Sequence, residues 1–252
     1  MKNFFMFETE IPKGSGFTLF GPCHVAWLFC IVIFSVCFGY WYQCRTREKQ
    51  KRINRIIGTA LPLMGLYRDI ILAVTGYYDM GFMPFHLCSM ALGIAFLYVW
   101  TNWRFLGIIY VILCVPGAVG ALLFPNWDAY PFWNYMHIHA FLSHGLTLVF
   151  GICLFWSDYI VPEWKDFWMP LLFGVFGFVS LYGINGILGT NFWFLNMPSH
   201  GSPLVWILQM TGEKWYLAGY FLFCMVVVII WMGILKGLQK LKRQRAEIEA
   251  NG

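Results

Sequence analysis

Apolar residues fall into seven long runs, approximately 20–42, 57–76, 83–101, 105–124, 133–155, 167–187 and 215–235, separated by short polar stretches. Each run is close to the roughly 20 residues that a helix needs to cross a bilayer. The pattern predicts an all-α fold, a polytopic membrane protein built as a bundle of seven transmembrane helices. Arg68 and Asp69 interrupt the second run and His86 the third. Polar groups inside spans face the bundle interior, so both runs are retained. Mixed residues, including Lys2, Glu8, Glu10 and Lys13, precede a first run that is itself long enough to span, which reads as a retained helix and not a cleaved signal.

Composition agrees with this reading: of 252 residues, 60% are apolar and 12% charged, about half the charge of a typical soluble domain. The net charge of +5 is too mild to suggest nucleic acid. Its distribution orients the chain by the positive-inside rule. Arg45, Arg47, Lys49, Lys51, Arg52 and Arg55 lie between spans one and two, and Lys236, Lys240, Lys242, Arg243 and Arg245 follow span seven. With Arg104 and Lys165 they define the cytoplasmic side, against Lys2, Lys13 and Lys214 outside. The expected topology has the N-terminus outside and the C-terminus cytoplasmic, with a transmembrane domain over 1–235 and a basic tail over 236–252 that lies near anionic headgroups. Cys23, Cys30, Cys37 and Cys44 recur every seven residues, on one face of the first helix. They read as small packing residues at a helix interface, and no disulfide is expected.

On this topology all six histidines fall in the outer half: His24, His86, His137, His139, His144 and His200. Arg68, Asp79, Asp128, Asn185, Asn191 and Asn196 join them, and the inner half is almost purely apolar. Polar groups concentrated at one membrane depth mark a functional site. Pro84-Phe85-His86-Leu87-Cys88-Ser89 combines a thiol with an imidazole at the start of a span. His86 and Cys88 point about 200° apart on a helix, so a base for Cys88 comes from another helix. Counting about 1.5 Å per residue from the span ends puts Cys88 at roughly 7 Å depth, His139 at roughly 9 Å and His144 at roughly 16 Å, which favours His139. Arg68 beside Asp69 requires a counter-charge, either a phosphate or a neighbouring carboxylate. The segment from Asn185 to Pro198 breaks its helix and offers amides to the cavity, or else forms a cap anchored by Trp193 and Phe194.

At these residues the sequence resembles the YwaF-like integral membrane family, which includes the transmembrane protein 164 group of animals. The matching pieces are Leu19-Phe20-Gly21 with His24, Met83-Pro84-Phe85-His86-Leu87-Cys88, the string from His139 to Gly145, and Gly189-Thr190-Asn191-Phe192-Trp193-Phe194-Leu195. Where the family usually carries a basic residue before a proline, Met197 precedes Pro198. The resemblance implies a multi-pass lipid acyltransferase that moves fatty acyl chains between phospholipids by a cysteine, here Cys88, with His86, His139 and His144 as its partners.

The expected function is a cell-membrane lysophospholipid transacylase working through a Cys88 thioester on the outward side, with catalytic Cys88, His139, His144 and His86. Arg68, Asp69, Asn185, Asn191 and His137 are the expected substrate-binding residues, with Asn191 or backbone amides facing the oxyanion. Phospholipid and lysophospholipid are its partners, and exchange between lipids needs no cofactor. One alternative is a metal-dependent lipid hydrolase using His137, His139 and His144 with Asp69 or Asp79; another is a non-enzymatic transporter or receptor.

Overall fold

The structure, a computed structural model, describes residues 4–251; Lys2, placed on the outer side above, and Gly252 at the end of the tail lie outside the described residues. The protein is all-helical, with seven principal helices among the described residues: α1 Pro22–Gln43, α2 Arg47–Thr75, α3 Leu87–Thr101, α4 Arg104–Leu123, α5 Tyr135–Trp156, α6 Trp168–Leu188 and α7 Pro203–Asn251. Six are long and apolar enough to cross a membrane. The exception is α3, with 15 residues. Its predicted first turn is irregular, because Met83-Pro84-Phe85-His86 runs as turns and extended backbone into the helix. The predicted second span begins ten residues early, at Arg47, where Thr46 caps the helix by accepting the Lys49 amide.

Connections alternate between two ends of the bundle. At the basic end, Arg47 donates to the Ser157 carbonyl, Arg104 pairs with Asp166 at 2.7 Å, and Lys242 reaches Asp158. Helix α7 continues through Lys236 without a break, and Lys242 also caps the last turn of α5 at the Trp156 carbonyl. At the other end the Phe17 amide donates to Asp128, the Tyr135 amide to Phe4, and Phe7 stacks on Tyr77.

The core lies along α4 and α5, whose Ile108, Ile109, Tyr110, Ile112, Phe150 and Leu154 are fully buried. Helix α4 passes through a π turn at Tyr110–Cys114. In that frame the Val111 carbonyl looks to residue 116, a proline without an N–H. Trp231 Nε1 from α7 donates to it instead, at 2.9 Å. Close approach of α4 and α5 depends on Gly151, where a Cβ would stand 2.1 Å from Val115 Cγ2. Gly151→Val is therefore expected to lower stability by about 1–3 kcal/mol through overpacking, read as an earlier thermal unfolding transition of the purified protein.

All eight cysteines are free. Cys30, Cys37 and Cys44 are exposed and not at a helix interface. Helix α1 is peripheral, and His24, Ile31, Ser35, Gly39 and Tyr42 form the side that it buries.

Candidate active site

Cys88 is the second residue of α3, and no side chain caps that helix. Among the described residues the amides of Leu87, Cys88 and Ser89 have no hydrogen-bond partner. The thiol thus stands among the unpaired N–H groups at the positive end of a helix. It is open to the exterior yet set among protein atoms, the condition of a residue on the floor of a cleft.

The thiol lies within hydrogen-bonding reach of His144 of α5 and of the neighbouring Ser89 side chain. The other side of that imidazole is tied down: His144 Nδ1 lies 2.7 Å from the Ala140 carbonyl one turn earlier. A carbonyl only accepts, so Nδ1 carries the proton and Nε2 is left to accept from sulfur. Trp127 lies flat against the same ring, with centroids 5.0 Å apart and planes 17° from parallel. An aromatic pair of this kind is worth about 0.5–1.5 kcal/mol. Trp127→Leu should therefore slow alkylation of Cys88 by about 3- to 10-fold, with Trp127→Phe restoring most of the rate, as followed by peptide mass spectrometry.

His139 does not take the position that depth counting favours. Irregular backbone before Leu87 advances further per residue than the 1.5 Å rise of a helix. Cys88 therefore starts deeper than counted, at the level of His144. His139 is buried at 8% exposure, with its ring 5.8 Å from that of Tyr135. His86 lies between Phe192 and Phe194, at 5.2 and 5.5 Å.

Arg68 stands over the cleft from α2. Its charge interacts with Cys88, His86, His139 and His144 alike. It pairs with its neighbour: Nε and Nη2 both donate to Asp69 Oδ1, at 2.9 and 2.7 Å, and Nη2 also reaches the Phe82 carbonyl. Of the two readings of Arg68, the structure contains the ion pair.

Three of the expected substrate-binding residues are committed to the protein itself. His137 is fully buried, accepting from Trp27 Nε1 at 2.9 Å and donating to the Tyr130 carbonyl. Asn185 holds the loop after α6 by three bonds, to the Phe192 amide, the Phe192 carbonyl and Thr190 Oγ1. Asn191 spends its amide on Met197 and Asn196. The loop that they shape latches the segment before Cys88, because Trp193 Nε1 donates to the Phe85 carbonyl at 2.9 Å. Trp193 is buried, not an interface anchor, and fills a notch where a Cβ on Gly177 would stand 2.4 Å from its ring. Trp193 and Phe194 both adopt left-handed backbone, at φ 55° and 56°, a strained conformation found where surrounding structure enforces it.

Trp127 escaped the sequence reading, because nothing in its surroundings marks a tryptophan of the loop before α5 as stacked on His144. Among the described residues no three of His, Cys, Asp and Glu converge on a metal position; His137, His139 and His144 turn to Tyr130, Tyr135 and Cys88 respectively.

No curated protein matches the chain, and no solved structure does. The family model described as the TMEM164 family matches residues 19–233, a stretch that contains Cys88, His144, Arg68 and the Trp193 loop. With most of its length covered, from before α1 into α7, the chain belongs to the TMEM164 family.

Proposed function

We propose that the protein is a membrane acyltransferase that moves a fatty acyl chain between a phospholipid and a lysophospholipid through a thioester on Cys88. The observation that supports this reading is the pairing of Cys88 with His144, whose Nδ1 is engaged by Ala140, which leaves Nε2 to take the thiol proton. A nucleophile, a base within hydrogen-bonding reach and a third group orienting the base form the minimal unit of covalent acyl transfer.

In the first half-reaction the Cys88 S–H gives its proton to His144 Nε2, and sulfur attacks an ester carbonyl carbon. Negative charge passes to the carbonyl oxygen, which the unpaired amides of the first turn of α3 stabilise. Collapse breaks the ester C–O bond, and the departing lysophospholipid oxygen takes the proton from Nε2. The hydroxyl of a second lysophospholipid then gives its proton to Nε2 and attacks the thioester; the C–S bond breaks and the departing sulfur takes that proton back from Nε2, restoring the thiol. Lipid filling the cleft would keep water from the thioester and favour this alcohol, hence transfer over hydrolysis. The concentration of basic residues at the opposite end supports an orientation in which Cys88 faces away from the cytoplasm of a cell membrane, where lipids and not acyl-CoA serve as donors.

The test is lipid mass spectrometry on membranes carrying the wild-type protein or Cys88→Ala, supplied with isotope-labelled lysophospholipid. Labelled diacyl phospholipid is expected with the wild type alone. Label left untouched by both proteins would remove acyl transfer for that substrate.

A further inference from the structure

With His144 serving Cys88, three donors in the cleft have no role in the acyl-transfer steps. His139 is more than nine-tenths buried, and among the described residues neither of its ring nitrogens makes a hydrogen bond. His86, half-buried, likewise makes none among the described residues, its ring lying against those of Phe192 and Phe194. Arg68 uses Nε and Nη2 on Asp69 and Phe82, which leaves Nη1 without a partner among the described residues. None of these nitrogens is among the fully buried side-chain atoms that lack a partner, so they stay accessible from the cleft and are free to donate to a ligand. Arg68 lies within electrostatic range of both histidines and of Cys88, which puts the three donors at the same end of the bundle as the thiol.

We propose that Arg68, His86 and His139 form a phosphate clamp beside Cys88. Each supplies an N–H to a phosphate oxygen: Nη1 of the guanidinium and one nitrogen of each imidazole. Asp69 holds the other edge of the guanidinium and fixes its plane, so that Arg68 presents Nη1 without rotating away. The inference rests on the acyl-transfer reading for what the phosphate belongs to. In a glycerophospholipid the phosphate lies only a few bonds from the ester carbonyl, so holding it positions that carbonyl at sulfur.

The test uses the full-length protein in neutral detergent and reads protection of Cys88 from N-ethylmaleimide by peptide mass spectrometry. The probes are lysophosphatidylglycerol, a monoacylglycerol of the same chain, and inorganic phosphate. Half-protection is expected at a concentration about tenfold or more lower for the lysophospholipid than for the monoacylglycerol, a preference of about 1.4 kcal/mol. Arg68→Gln and His139→Leu should lose the preference, and His139→Gln, which keeps an N–H, should restore part of it. Should His139→Leu fail to purify as a single species, His86→Leu gives the same reading. Protection by inorganic phosphate that disappears in the leucine variants supports the clamp and assigns it to free phosphate; lysophospholipid protection that phosphate does not compete away assigns it to the headgroup. Equal protection by monoacylglycerol, or a preference unchanged in the leucine variants, overturns the clamp. Binding needs no turnover, so a phosphate preference in a protein that transfers no acyl chain would count against acyl transfer alone.

Discussion

His144→Ala is expected to lower acyl transfer by about 10²–10⁴-fold, the usual contribution of a positioned general base, and to slow alkylation of Cys88 at neutral pH. His139→Ala is expected to leave alkylation near the wild-type rate while weakening lipid binding. The contrast follows from geometry: of the histidines around the thiol His144 alone is its hydrogen-bond partner, beside the Ser89 side chain, and the Ala140 carbonyl holds Nδ1 of His144 and leaves Nε2 free. Without the imidazole, the S–H proton has no positioned side-chain base to accept it, and sulfur remains a poor nucleophile. Alkylation rates on the purified protein across a pH series check the base without reference to any substrate. Equal slowing by both variants would contradict the assignment.

Asn185→Ala is expected to destabilise the protein by about 3 kcal/mol and to abolish transfer even though Asn185 touches no reacting atom. At 1% exposure its side chain satisfies both the amide and the carbonyl of Phe192 and accepts from Thr190. Truncation leaves buried backbone groups unpaired, each costing about 1–3 kcal/mol. The loop that it holds is already strained at Trp193 and Phe194, so little opposes its release. Release would free Phe85, whose carbonyl accepts from Trp193, and with it the chain entering α3. Thermal unfolding together with Cys88 alkylation separates this from a catalytic effect: a lowered transition with an unchanged alkylation pattern at low temperature would mean that the loop does not shape the site.

The helices were legible because bilayer thickness imposes a minimum length on every spanning run, and six of the seven runs correspond to helices long and apolar enough to cross. Helix α3 was not, since an apolar run records composition but not the turns at Pro84 and Phe85 that shorten it. Gathering of Cys88, His86, His139, His144 and Arg68 at one end followed from the depth of each in its span. Which imidazole meets the thiol did not, because the answer turns on how far four non-helical residues carry the chain. Asn185 and Asn191 looked like ligands for a reason that misleads in general: a side chain able to bind a substrate is equally able to bind the backbone of a tight loop. His137 is the same case, its two nitrogens taken by Trp27 and Tyr130.

The central claim is a covalent acyl-enzyme at Cys88, and the most direct measurement is to trap it. Protein incubated with a phospholipid bearing an isotope-labelled acyl chain, quenched in acid and digested, should yield the peptide containing Cys88 heavier by that acyl group. Hydroxylamine should discharge the group, and Cys88→Ala should lack it. Labelled phospholipid formed at the wild-type rate by Cys88→Ala, or an acyl group found on another residue while Cys88 stays free, would contradict the account.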